Sequence, residues 1–121
     1  MKQALIVLVH GSPRPIANAD MYRVLDDIRA RKIYDYVTPG FLEINDPSIP
    51  DAIDQCVAEG ANRIVAVPYF LHTGTHVAID LPSLLDAAAR RHPRVEFRLG
   101  RYLGVEEGLT EVLPERAGMV G

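Results

Sequence analysis

Three side chains in this sequence have the types and placement to handle a metal ion or a proton. His10 closes the apolar run Ala4–Val9, Glu43 sits near the end of the segment Val37–Ile44, and His76 follows the run Ile64–Val67. Imidazole nitrogens and a carboxylate oxygen are donors that transition metals accept, and a set of three leaves coordination positions open. Neutral imidazoles can also take up protons as general bases. The chemistry in view is therefore metal handling, proton transfer, or both, provided that the fold brings the three runs together.

The stretch R-I-V-A-V-P-Y-F-L-H-T-G-T-H at residues 63–76 sets that fold. Its apolar run lacks helical spacing and reads as a strand buried on both faces, giving out at Pro68, which cannot donate to a ladder. Ala4–Val9 is a second such strand, ended by the His10-Gly11-Ser12-Pro13-Arg14-Pro15 loop. Met21, Val24, Leu25 and Ile28 recur at helical spacing, with Asp20, Arg23, Asp27 and Arg31 on the other side. Val37–Ile44 is a strand weakened by Pro39-Gly40. Ser48 and Asp51 have capping-box spacing before a helix face of Ile49, Ile53 and Val57 that Gly60 stops. Leu81–Arg91 is strongly helical, with Pro82 in its first turn and Pro93 beyond its end. Val95–Leu99 alternates apolar with Glu96 and Arg98, as an edge strand with one wet face does. Val105, Leu109 and Val112 can form a short last helix, which Gly108 and Pro114 weaken.

The order β-α-β-α-β-α-β-(α) predicts one α/β domain over residues 1–121, a four-stranded parallel sheet with helices on both faces. The expected strand order is the flavodoxin-like 2-1-3-4, whose switch point lies between strands one and three. His10 and His76 then stand on either side of the crevice at the carboxyl edge, and Glu43 flanks His10 from strand two.

Each of these residues also has an ordinary reading. A histidine at a strand end is often a plain loop residue, and Glu43 can be a plain surface carboxylate. His72 and His76 are four apart, a helical ligand spacing that the intervening Gly74 disfavours. His92, between Arg91 and Pro93, reads as a surface or capping residue. Gly11-Ser12 lacks the glycine pattern and lysine of phosphate loops, and the G-x-G-x-x-G of a nucleotide-binding fold is missing.

Composition narrows the class further. Among 121 residues, 48% are apolar and 24% charged, as in an ordered globular protein, and the net charge of -3 gives no basic field for nucleic acid. The only cysteine, Cys56, excludes an internal disulfide and reads as helix packing. The N-terminal apolar run is too short to span a bilayer, so no membrane contact is expected and the protein reads as cytoplasmic.

Three motifs carry a family resemblance: L-V-H-G-S at Leu8–Ser12, F-L-E at Phe41–Glu43 with P-S-I-P-D at Pro47–Asp51, and V-P-Y-F-L-H-T-G-T-H-V-A-I-D-L-P at Val67–Pro82. In these the chain resembles the small class II chelatases of sirohydrochlorin, of the CbiX and SirB type, in their short single-domain form. The resemblance covers about the first hundred residues; the tail from Val105 matches less well, because Pro114 interrupts what is normally a closing helix. It implies a lyase that inserts a divalent metal into sirohydrochlorin, with iron for sirohaem, cobalt for cobalamin, or nickel. It also implies a homodimer, with the metal as substrate and no permanent cofactor. By position, His10 and His76 are the essential pair and Glu43 an acidic group on the metal path, whereas His72 need not be histidine. The macrocycle's carboxylates suit Arg14 and the Gly11-Ser12 amides, and its flat apolar faces suit Tyr69, Phe70 or Leu71. A module that binds metal or tetrapyrrole without turnover would use the same residues.

Overall fold

In the computed structural model, which describes residues 2–121, four parallel strands lie in the order β2-β1-β3-β4. They are β1 (Gln3–Val9), β2 (Tyr36–Phe41), β3 (Arg63–Pro68) and β4 (Glu96–Leu99). The helices are α1 (Pro15–Ala30), α2 (Ile49–Ala58), α3 (Leu81–Arg91) and α4 (Glu107–Gly118), and one π turn (His76–Asp80) leads into α3. The sheet order expected from the alternation of elements is the one observed.

The period-two rule divides β1 between two cores. Ala4, Ile6 and Leu8 point to the face covered by α2 and α3, where they meet Ile49, Ile53, Cys56, Leu81 and Leu85. Leu5, Val7 and Val9 point to the opposite face, against Met21 and Leu25 of α1 and Val37 and Phe41 of β2. Central β1 is thus buried on both sides, which is why its sequence is apolar without alternation. The Ser48 hydroxyl accepts the Asp51 amide at 3.2 Å, so the capping pair starts α2 as its spacing requires.

Strand β3 differs from its expected burial on both faces. Ile64 and Ala66 are fully covered, but Val65 and Val67 are only half-buried. On that face α1 packs with β1 and β2, and no later helix buries a side chain there. The last helix runs through Pro114 to Gly118, longer than its sequence suggests, yet none of its side chains is buried. Pro114 removes one backbone donor, and because Thr110, one turn earlier, is exposed, water can satisfy the carbonyl left over. The α1 face of β3 and β4 is accordingly less covered, with Glu96 and Arg98 of β4 exposed on it. Among the described residues, no helix is long and apolar enough to cross a membrane.

Candidate metal centre

At the carboxyl edge of this sheet, three loops converge. His10 follows β1, Glu43 lies two residues beyond β2, and His76 opens the π turn after β3. His10 Nε2 stands 3.0 Å from Glu43 Oε1, and the two imidazole rings meet edge-on with centroids 5.5 Å apart. One donor atom from each of the three residues falls within 4.8 Å of the others. Ligands about 2.1 Å from a common ion stand about 3.0 Å apart at right angles and about 4.2 Å apart when opposed. The His10–Glu43 spacing already fits, and a small side-chain rotation brings in His76. All three side chains are close to half exposed. A centre this open can take up an ion and release it, whereas a closed four-ligand cage would retain it.

The Glu43 backbone is held by an unusual turn. Ile44 has φ 72°, a left-handed conformation rare for a β-branched residue, and the Asn45 amide donates to the Glu43 carbonyl at 2.8 Å. The loop after β1 packs onto this turn. Gly11 has φ 103°, and a Cβ there would lie 2.1 Å from the Glu43 carbonyl oxygen. Glycine at this position is therefore a packing requirement between the two loops. Asn45 completes the join, its Oδ1 accepting the Ser12 amide at 2.7 Å, while the Asn18 side chain donates to the Ser12 carbonyl at 3.1 Å. The Ser12 amide, read from sequence as an anchor for a ligand carboxylate, is already committed to Asn45. Its hydroxyl accepts the Arg14 amide at 3.1 Å and keeps its own proton to donate.

Two clefts flank His10. One of about 250 Å³ is bounded by Gly11, Ser12, Asn18, Phe41 and Tyr69. The other, about 270 Å³, lies between Phe70, His72, Gly74 and His76. Tyr69 lines the first of these and Phe70 the second, and Arg14 is exposed. His72 borders the second cleft but is not among the three clustered donors. His92 is remote in role: its Nε2 pairs with Asp54 at 2.9 Å and joins the end of α3 to α2. Burial pushes the Cys56 thiol up to about 12, so it is inert packing. A broader depression of about 590 Å³, walled by Asp46, Asp51 and Asp54, includes none of the three donors.

Two contributors escaped the sequence reading. Asn45 carries no pattern that marks it. Asp80 does: it is four residues beyond His76, and its Oδ2 lies 2.7 Å from His76 Nδ1.

The fold and this cluster define a class, the α/β proteins that gather two histidines and a carboxylate able to hold a metal ion at an open sheet edge. Comparison with known proteins makes the class specific. The CbiX family model matches residues 4–119. The sirohydrochlorin cobaltochelatase of Methanococcus aeolicus is 41% identical over 83 residues, covering 69% of this chain and 58% of that protein. The chloroplastic sirohydrochlorin ferrochelatase of Arabidopsis thaliana is 33% identical over 112 residues, covering 93% of this chain and 50% of that one. Among solved structures, the chelatase SirB from Bacillus subtilis subspecies spizizenii, in complex with cobalt, superposes with a TM-score of 0.93 at 29% identity. That match covers 99% of this chain and 51% of SirB. The chain belongs to the CbiX family, and it spans about half the length of the relatives it matches.

Proposed function

We propose that this chain is a sirohydrochlorin chelatase that inserts cobalt or iron into the macrocycle, with nickel a further candidate. The observation that carries the reading is the convergence of His10, Glu43 and His76 at an open sheet edge, in a chain of the CbiX family. The relatives named as cobaltochelatase and ferrochelatase support both metals, and borderline nitrogen and oxygen donors suit either.

Insertion exchanges water on the ion for pyrrole nitrogens and releases two pyrrole protons. The His76 and His10 imidazoles hold the incoming ion through nitrogen lone pairs while its remaining positions face the macrocycle. Of the two pyrrole protons, Glu43 accepts one, and the His10 imidazole beside it, freed as the ion passes to the macrocycle, accepts the other. Tyr69 and Phe70 offer apolar surface to the flat ring, and Arg14 with the Ser12 hydroxyl meets its carboxylates at the rim. Neither flanking cleft is deep enough to cover a tetrapyrrole on both faces, so we propose that a second copy of the chain supplies the other wall in a homodimer. A buried free thiol without a disulfide is in keeping with work in the cytoplasm.

A single-turnover optical assay with sirohydrochlorin and Co²⁺ tests the proposal. Insertion converts the macrocycle spectrum at a rate proportional to enzyme, whereas a binding module gives only a small stoichiometric shift. The second outcome would replace the chelatase reading with that of a carrier.

A further inference from the structure

The His76–Asp80 pair has no counterpart at His10. Asp80 Oδ2 is 2.7 Å from His76 Nδ1, whereas His10 Nδ1 has only the Gly11 carbonyl at 3.4 Å, too long for a firm bond. The His10 Nε2 is instead engaged by Glu43. An ionised carboxylate can only accept, so Nδ1 of His76 carries the proton of that bond. In the neutral ring this leaves the lone pair on Nε2, free for a ligand.

The backbone accounts for the pairing. Residues His76–Asp80 form a π turn in which the Leu81 amide donates to the His76 carbonyl, one residue wider than α-helical register. Such turns interrupt otherwise regular helices at a cost in bond geometry, and they occur often at functional sites. Here the turn places the carboxylate at i+4 over the imidazole at i.

We propose that Asp80 is a positioning residue that holds His76 in the Nδ1–H tautomer with its ring fixed, making His76 the rigid metal ligand of the centre. The proposal deepens the chelatase reading and rests on it only for the identity of the reaction. Partner carboxylates of this kind fix ring orientation and raise ligand basicity, and losing one costs metal affinity roughly ten- to a hundredfold. The competing role is structural: Asp80 also precedes α3, where a carboxylate favours the helix N-terminus, although its side chain caps no amide there.

Two readouts separate these roles, both made on protein and metal without macrocycle. Long-range ¹H–¹⁵N spectra of ¹⁵N-histidine-labelled protein, at a pH where imidazole is neutral, should show His76 protonated at Nδ1. Asp80→Ala should move it toward the Nε2–H form, and a Co²⁺ titration should weaken about ten- to a hundredfold. Asp80→Asn keeps an acceptor, so it should keep the tautomer and lose Co²⁺ affinity by severalfold. If Asp80→Ala lowers thermal stability but leaves tautomer and affinity unchanged, the proposal is overturned. Should Asp80→Ala fail to fold, unchanged Co²⁺ affinity in Asp80→Asn overturns it instead. Intact tautomer and affinity effects in a protein that inserts no metal would sink the chelatase reading and leave this one standing.

Discussion

Replacing Gly11 by alanine attacks the centre without touching any donor atom. At φ 103° an L residue is strained, at a cost of about 1–3 kcal/mol. The added Cβ would also lie 2.1 Å from the Glu43 carbonyl, so restoring ordinary contact at 3.4 Å requires the two loops to part by about 1.3 Å. The obstacle is backbone rather than the end of a flexible side chain, and Glu43 is fixed on its far side by the turn at Ile44. Most of that displacement therefore reaches the His10–Glu43 pair, which now stands at 3.0 Å. A misplacement of about 1 Å in a catalytic constellation can cost about a hundredfold in rate. For a chain of this size the strain alone lowers the melting temperature by about 4–12 °C. The assay is initial-rate insertion of Co²⁺ into sirohydrochlorin, run well below the variant's melting temperature, beside a Co²⁺ titration. Gly11→Ala should be folded in that range, about a hundredfold slower, and weaker for Co²⁺. A variant that melts early yet inserts metal at the wild-type rate would show that the loop contact serves stability alone. The account of Glu43 placement would then fail.

Other perturbations probe the donors and the scaffold. His10→Ala and His76→Ala should each slow insertion by about a hundredfold or more, with the double variant little worse, because residues that act as a unit are not additive. His72→Ala should cost far less, and a severe His72 variant beside a mild His76 one would reassign the ligand pair. Glu43→Gln should slow insertion while sparing macrocycle binding, read by fluorescence titration; an unaltered rate at limiting metal would demote Glu43 to a surface group. Asp54 is held below the usual aspartate value of 3.8, first by the His92 hydrogen bond and then by Arg91, with burial opposing them. A depressed folded-state value adds stability above pH 3.8 that is lost as pH falls through the folded value. Because this carboxylate is half exposed, the contribution is at most about 1 kcal/mol. Asp54→Asn should therefore melt a few degrees lower at neutral pH and match the wild type in strong acid.

How far the sequence discloses this site depends on whether the determinant is a pattern or a tertiary contact. The strands, their parallel order and the meeting of His10 with His76 are patterns: apolar runs alternate with amphipathic helices, and few topologies satisfy that alternation. The half exposure of Val65 and Val67 is not a pattern in β3 itself, because it depends on which helices, distant in sequence, cover that face of the sheet. The placement of Glu43 is hidden more deeply. Nothing in F-L-E-I-N announces that Ile44 takes a left-handed turn, since β-branched residues normally avoid it. That turn is upheld from outside by Gly11 and by the Asn45–Ser12 bond, both supplied by a loop more than thirty residues earlier. Gly11 thus looks from sequence like a ligand-binding amide, while in the fold it is the space that lets one donor approach another. His76 shows the intermediate case. Its spacing to Asp80 is legible, but Gly74 and Pro82 make the helix look as if it starts at Leu81. A π turn has no sequence period of its own and registers only as a slightly late helix. The donors are therefore readable one by one, whereas their geometry belongs to contacts between loops. It follows that the variants most informative about the centre are Gly11→Ala and Asp80→Ala, which remove no donor and change only where the donors lie or point.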